Sequence, residues 1–255
     1  MSATIGAVDR ALDILIYLYH EGREKGISEM SRDLGLNKST IHRNLTTLAN
    51  KGFVYQNEDN GKYWLGMKLY AIGKVVEDNL TLTEIIKPFT RQLYEEFKEV
   101  INVSILETNA PDALRSIIIY KEEDARQVLT VNPSIGSSSE CHCSSVGKCL
   151  LAFGKDVPFD KFVDKPLTKF TENTIDNWDD FHDCLKEVRE QGYAVDEEEL
   201  ERGLTCIGAP ILDRDGVAVA AISLSGPTQR MHEGDFDYKI KRVKETARLI
   251  SAQMR

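Results

Sequence analysis

The chain has 255 residues, 42% of them hydrophobic and 29% charged, with a formal net charge of −9. At about 150 residues per domain there is room for two cored domains, and this composition excludes a disordered chain. No apolar run nears the roughly 20 residues of a spanning helix, and Asp9, Arg10 and Asp13 spoil the apolar N-terminal stretch as an export signal. The expected setting is the cytoplasm, where the five cysteines stay reduced. Charge is unevenly spread. Residues 1–80 hold ten basic and ten acidic side chains, and within them 37–74 hold six Lys/Arg against two acids. Residues 172–201 hold twelve acids and two bases, so only the first part suits a polyanion.

Residues 7–19 read as a helix with Leu12, Leu15, Ile16 and Tyr19 on one face. Ser28 is placed to cap a second helix over 29–34, which Gly35 stops in a left-handed conformation. Asn37 is placed to cap a third, over 38–51, ended by Gly52. Residues 53–55 and 63–65 are rich in strand formers and flank an Asn60-Gly61 turn, a hairpin signal. A helix over 68–80 follows as a linker. Beyond it come a helix over 82–99 and strands near 102–107, 115–120 and 127–131. Next are a helix from Ser144, a helix over 178–191 and strands over 205–212 and 217–225 joined by an Asp-Arg-Asp-Gly turn. A last helix covers 235–254. Hairpins without regular βαβ alternation predict an α+β fold with a mainly antiparallel sheet.

Helix, helix, glycine turn, helix and hairpin is the order of a winged helix-turn-helix. In the third helix Ile41, Leu45 and Leu48 form one stripe at i, i+4 and i+7. Ser39 and Arg43 lie opposite, flanked by Thr40, Thr46, Thr47 and Asn50, with no acid from 38 to 51. Hydroxyls, Lys, Arg and His suit base edges and phosphates. The candidate DNA-binding residues are therefore Lys38, Ser39, Thr40, His42, Arg43 and Thr47, with Lys62 at the wing tip.

The sequence also resembles the IclR family of bacterial transcriptional regulators along nearly its whole length. Ala7-Val8-Asp9-Arg10-Ala11-Leu12-Asp13-Ile14-Leu15 looks like the family's opening helix. Leu36-Asn37-Lys38-Ser39-Thr40-Ile41-His42-Arg43 looks like its recognition helix, and Gly61-Lys62-Tyr63-Trp64-Leu65-Gly66 like its wing strand. His142-Cys143-Ser144-Ser145-Val146-Gly147-Lys148-Cys149-Leu150-Leu151-Ala152, Gly192-Tyr193-Ala194-Val195-Asp196-Glu197-Glu198-Glu199 and Ala220-Ala221-Ile222-Ser223-Leu224-Ser225-Gly226-Pro227 resemble its C-terminal signatures. The run Ser137-Ser138-Ser139-Glu140-Cys141 departs, standing where the family is more often apolar. The resemblance implies a winged-helix domain (1–67), a linker helix (68–81) and a GAF-like effector-binding domain (82–255). It also implies repression of operator DNA and dimers that pair into tetramers. Leu12, Ile16 and the 68–80 helix are the candidate N-terminal interface.

The family's pocket lies at the start of the helix after Ser144, where the matching positions are Ser145, Val146, Asp196, Cys206, Ser223 and Ser225. Free amides and the helix dipole there favour an anion. Hydroxyls and one carboxylate then point to a small polar organic acid or sugar acid, with no cofactor. The rest of the acidic run reads as a solvated face. Two alternatives stand beside this reading. Cys141, His142 and Cys143 carry soft-metal ligand types for a metal or redox sensor, although a strand would turn His142 away from the cysteines. A small-molecule enzyme would need a Cys thiolate, His142 and Asp196 together.

Overall fold

The computed structural model describes residues 5–78, 81–107, 110, 112–123 and 134–254, and the strand expected at 127–131 lies outside them. The chain divides into two compact units, Met1–Thr81 and Leu82–Arg255.

The first unit contains α1 (Gly6–Glu21), α2 (Ile27–Asp33), α3 (Lys38–Asn50), strands β1 (Val54–Gln56) and β2 (Tyr63–Leu65), and α4 (Met67–Asp78). Ile14, Leu18, Met30, Ile41, Leu45, Leu48, Val54 and Tyr63 form its core, so the 41/45/48 stripe faces inward as its spacing requires. Capping differs from expectation. α2 begins before Ser28, with Gly26 at the N-cap and the Glu29 carboxylate accepting from the Gly26 N–H at 2.9 Å. Asn37 holds the N-cap of α3 by backbone conformation, without a side-chain bond. Gly35 and Gly52 adopt positive φ of 65° and 76°, which glycine permits at helix ends.

The second unit holds α5 (Thr81–Phe97), β3 (Val100–Glu107), β4 (Arg115–Glu122), β5 (Ser138–Glu140), α6 (Ser145–Ala152), α7 (Trp178–Gln191), β6 (Ala194–Glu197), β7 (Leu204–Leu212), β8 (Ala218–Pro227), α8 (Thr228–His232) and α9 (Phe236–Gln253). Its six strands run β5-β4-β3-β8-β7-β6, and each pairing is antiparallel. Side chains alternate across a strand, so the sheet has two chemically different faces. One face presents Ile101, Val103, Ile207, Ala209, Ile211, Ala220, Ile222 and Leu224 to a core shared with α5 and α9. The other carries Asn102, Ser104, Cys206, Ser223, Ser225 and Asp196. α6 and α7 cover part of that side through Val146, Cys149, Leu150, Phe181, Leu185 and Val188, which pack with Ala194 and Ala221.

Candidate functional site

On α3, Lys38, Ser39, His42, Arg43 and Thr47 are exposed and Thr40 is half-buried. The Thr46 and Thr47 hydroxyls donate to the His42 and Arg43 carbonyls at 2.9 Å. Their lone pairs remain free, and either can rotate to donate to a phosphate at the cost of that local bond. Lys62 is not at the wing tip. Asn57 N–H donates to the Lys62 carbonyl at 2.7 Å, placing Lys62 at the base of the turn, 3.9 Å from the Glu29 carboxylate. The turn itself carries Glu58, Asp59 and Asn60. It is tied down by Asn57 and Asn60 amides donating to Glu24, whose carboxyl they hold below its ordinary value.

In the second unit the structure brings all six expected effector residues around one cavity of about 410 Å³. Strand register explains the gathering. Asp196 on β6 pairs with Cys206 on β7, which pairs with Ser225 on β8. One step along, Gly208 pairs with Ser223, and Ser223 with Asn102 on β3. A polar row thus crosses four strands on one face. The start of α6 closes over it, because Gly208 has no side chain: a Cβ there would stand 2.8 Å from the Ser145 carbonyl carbon. Gly147 is required likewise, since its Cβ would meet Cys141 Cα at 2.3 Å. Ser144 caps α6 by accepting from Gly147 N–H at 3.1 Å.

Asp196 is 1% exposed. Its Oδ1 accepts from Glu199 N–H at 2.8 Å and Leu200 N–H at 3.4 Å. Burial nonetheless pushes its pKa up to about 7. Desolvation, with the nearby Asp196 carboxylate, also raises the Cys206 thiol well above its usual range. Ser223 and Ser225 hydroxyls share a hydrogen bond of 3.1 Å. Sequence reasoning missed Asn102 and Ser104. Both are buried and line the cavity, and Asn102 Oδ1 and Ser104 Oγ have no hydrogen-bond partner. Buried polar atoms are normally satisfied, so these two are poised for a ligand. Their polar alternation within an otherwise apolar strand was the available signal. The departing segment Ser137, Ser138, Ser139 and Glu140 also lines the cavity. Among the described residues Arg115 is the one basic side chain in the lining, and it is bound to Asp112 at 2.9 Å.

Two expectations about charged and cysteine segments are corrected. Glu199 is not solvated but buried, in an ion pair with the buried Lys148 ammonium, which also donates to the Val195 carbonyl at 3.0 Å. Cys141-His142-Cys143 forms a turn rather than a strand. His142 Nε2 bonds the Thr168 carbonyl at 2.9 Å, Cys143 Sγ donates to the Glu140 carbonyl at 3.4 Å, and burial raises both thiols. Among the described residues no three His, Cys, Asp or Glu side chains converge as metal ligands. His142 is also absent from the lining that holds Asp196 and Cys206, so the enzyme arrangement has no geometric support.

A winged helix-turn-helix with an acid-free recognition helix, joined in one chain to an antiparallel-sheet unit with a polar cavity, is the build of a ligand-responsive DNA-binding regulator. Residues 7–58 match the IclR helix-turn-helix domain and residues 74–252 the C-terminal domain of bacterial transcriptional regulator IclR. The chain is 33% identical over 252 residues to the HTH-type transcriptional regulator KdgR of Escherichia coli K12, covering 98% of this chain and 93% of that one. It is 32% identical over 252 residues to the transcriptional repressor AllR of Klebsiella pneumoniae, covering 97% and 89%. The crystal structure of Thermotoga maritima IclR matches with a TM-score of 0.75 at 26% identity, over 98% and 99% of the two chains. The chain belongs to the IclR family of bacterial transcriptional regulators. No helix among the described residues is long and apolar enough to cross a membrane.

Proposed function

We propose that this protein is a cytoplasmic repressor, not an enzyme, whose operator affinity is set by a small hydroxy acid or keto sugar acid in the 82–255 domain. The winged helix of 1–67 reads DNA through Lys38, Ser39, Thr40, His42, Arg43 and Thr47, with Lys62 on a phosphate, and 68–81 links the two. One observation carries the ligand reading: Ser145, Val146, Asp196, Cys206, Ser223 and Ser225 line a single cavity into which two unpartnered polar atoms, Asn102 Oδ1 and Ser104 Oγ, also face. Its volume falls within the usual range for small-molecule sites. The ligand's carboxylate lies at the α6 N-terminus, where backbone amides and the helix dipole favour negative charge. Its hydroxyls meet Ser223, Ser225, Asn102 and Asp196. Val146, Phe170, Leu200 and Leu204 cover its carbon skeleton.

The protein acts as a homodimer that pairs into a tetramer, since one winged helix buries too little surface for a tight site. Val8, Leu12 and Ile16 on α1 and Met67, Tyr70, Val75 and Val76 on α4 are large exposed hydrophobics that a dimer would cover. A thermal-shift screen of hydroxy acids and keto sugar acids, followed by gel shifts on the upstream DNA of its own operon, tests the proposal. A ligand that binds only the folded state raises its melting temperature. If only wholly apolar molecules shift both melting and DNA binding, the assigned ligand chemistry is wrong.

A further inference from the structure

α1 carries Arg10, Ile14 and Leu18 at i, i+4 and i+8, one face of a helix. Ile14 and Leu18 are fully buried in the core of the first unit with Ile41 and Leu45 of α3. Arg10 extends the same stripe by one turn, past the end of that core, where an apolar residue would ordinarily stand. Its guanidinium lies back over Gly6, whose Cβ position is 3.2 Å from Arg10 Nη1. Arg10 Nε is buried and has no hydrogen-bond partner. The flanking Asp9 and Asp13 are exposed, and among the described residues no carboxylate is paired with Arg10. A half-buried cation with an unused donor and no counter-charge carries a desolvation cost that an anion would offset.

The surroundings say where that anion lies. Arg10 and Ala7 form a groove with Thr40, Arg43, Asn44 and Thr47 of α3, and among the described residues no acidic side chain lines it. At about 100° per residue, Thr40, Asn44 and Thr47 share one flank of α3, between its buried stripe and the outward Ser39/Arg43 face. A helix about 10–12 Å across nearly fills a major groove about 12 Å wide, so its outward face meets bases and its flanks meet sugar-phosphate. Arg10 lies against such a flank. Guanidinium forks suit phosphate oxygens, and the stem is held by packing.

We propose that Arg10 binds a DNA backbone phosphate in the groove between α1 and the recognition helix, fixing the register of α3 on the duplex. A phosphate contact carries no sequence information, so it acts on every duplex alike. The full-length chain is titrated with salt on two probes, the upstream DNA of its own operon and a short duplex of arbitrary sequence. The variants are Arg10→Met, which keeps an apolar stem of similar reach, and Arg10→Lys, which keeps the charge. Each lost phosphate contact lowers the slope of log affinity against log salt by about 0.9. Arg10→Met is expected to lose about that much on both probes and several-fold affinity at low salt, while Arg10→Lys keeps the wild-type slope. Trp64 fluorescence in a Trp178→Phe background reports whether the first unit stays folded. A wild-type slope for folded Arg10→Met overturns the proposal, as does an equal loss of slope in Arg10→Lys. A loss confined to the operon probe overturns it too, because that would make Arg10 a base reader.

Discussion

Asp196 should make the second unit less stable as pH rises, and the size of the effect follows from its burial. Desolvation of the carboxylate is the main cause of a pKa of about 7. The Glu199 carboxylate adds to it, while the Glu199 and Leu200 amides and the Lys148 ammonium oppose it. In the unfolded chain the group ionises near 3.9. The folded state therefore holds the proton more tightly. Its contribution is fully present below about 3.9 and is lost at about 1.4 kcal/mol per pH unit until the pH passes the folded value. Between pH 5 and pH 8 the loss comes to about 3 kcal/mol. Asp196→Asn removes the titration yet keeps an Oδ1 able to accept from Glu199 and Leu200. The chain has two tryptophans, Trp64 in the first unit and Trp178 in the second, so a Trp64→Phe background isolates the second unit. Urea unfolding followed by Trp178 fluorescence should show wild type losing stability from pH 5 to 8 and Asp196→Asn losing about 3 kcal/mol less. Parallel curves for the two proteins would show that Asp196 ionises normally and that its burial costs nothing.

Arg43→Ala should weaken binding to the operator by about 1–3 kcal/mol if Arg43 reads a base, whereas Lys62→Ala should weaken all duplexes alike. Wild-type affinity of both across a salt titration would refute the recognition-helix assignment. Ser223→Ala and Asn102→Ala should each abolish the melting shift given by a ligand found in the screen and leave DNA affinity unchanged, since both changes lie in the second unit; an unchanged shift removes them from the site. Leu12→Glu with Ile16→Glu should lower the mass seen by light scattering, because two charges would enter the apolar stripe of α1. A mass equal to that of wild type would place the contact elsewhere.

The longer helices were legible because each is written locally, in an apolar period and a terminal residue, whereas the five-residue α8 is too short to carry such a period and was not expected. α7 begins and ends where its pattern and Gly192 say it should, and Asp235 caps α9 by accepting from Tyr238 N–H at 3.0 Å. The effector residues were legible mainly through the family resemblance. What no local pattern could supply was the pairing that joins them. Asn102 sits beside Ser223 because β3 is inserted between β4 and β8, a contact between residues 121 positions apart. β5 was missed because serines are poor strand formers and only pairing with β4 holds Ser138–Glu140 extended. β6 was missed because the acidic run that begins within it reads, Asp196 apart, as a solvated face rather than as a strand. Glu199 was misjudged for a related reason: its buried partner Lys148 lies 51 positions away, beyond the reach of any spacing rule.

The uneven charge takes on a sharper meaning once the buried acids are separated out. Asp196 and Glu199 lie inside, the first partly protonated near neutral pH and the second paired with Lys148. Most of the other acids between 172 and 201 face solvent, among them Asp179, Asp180, Asp183 and Glu201. Field effects reach about 8–10 Å at ordinary ionic strength, so these acids repel any duplex that comes within that distance of them. Salt therefore acts on DNA binding in two directions. It weakens the phosphate contacts of the first unit, and it also screens the repulsion from the second. Replacing exposed acids of α7 with their amides should raise the chain's affinity for duplexes of arbitrary sequence at low salt, and an unchanged affinity would show that these acids do not repel DNA.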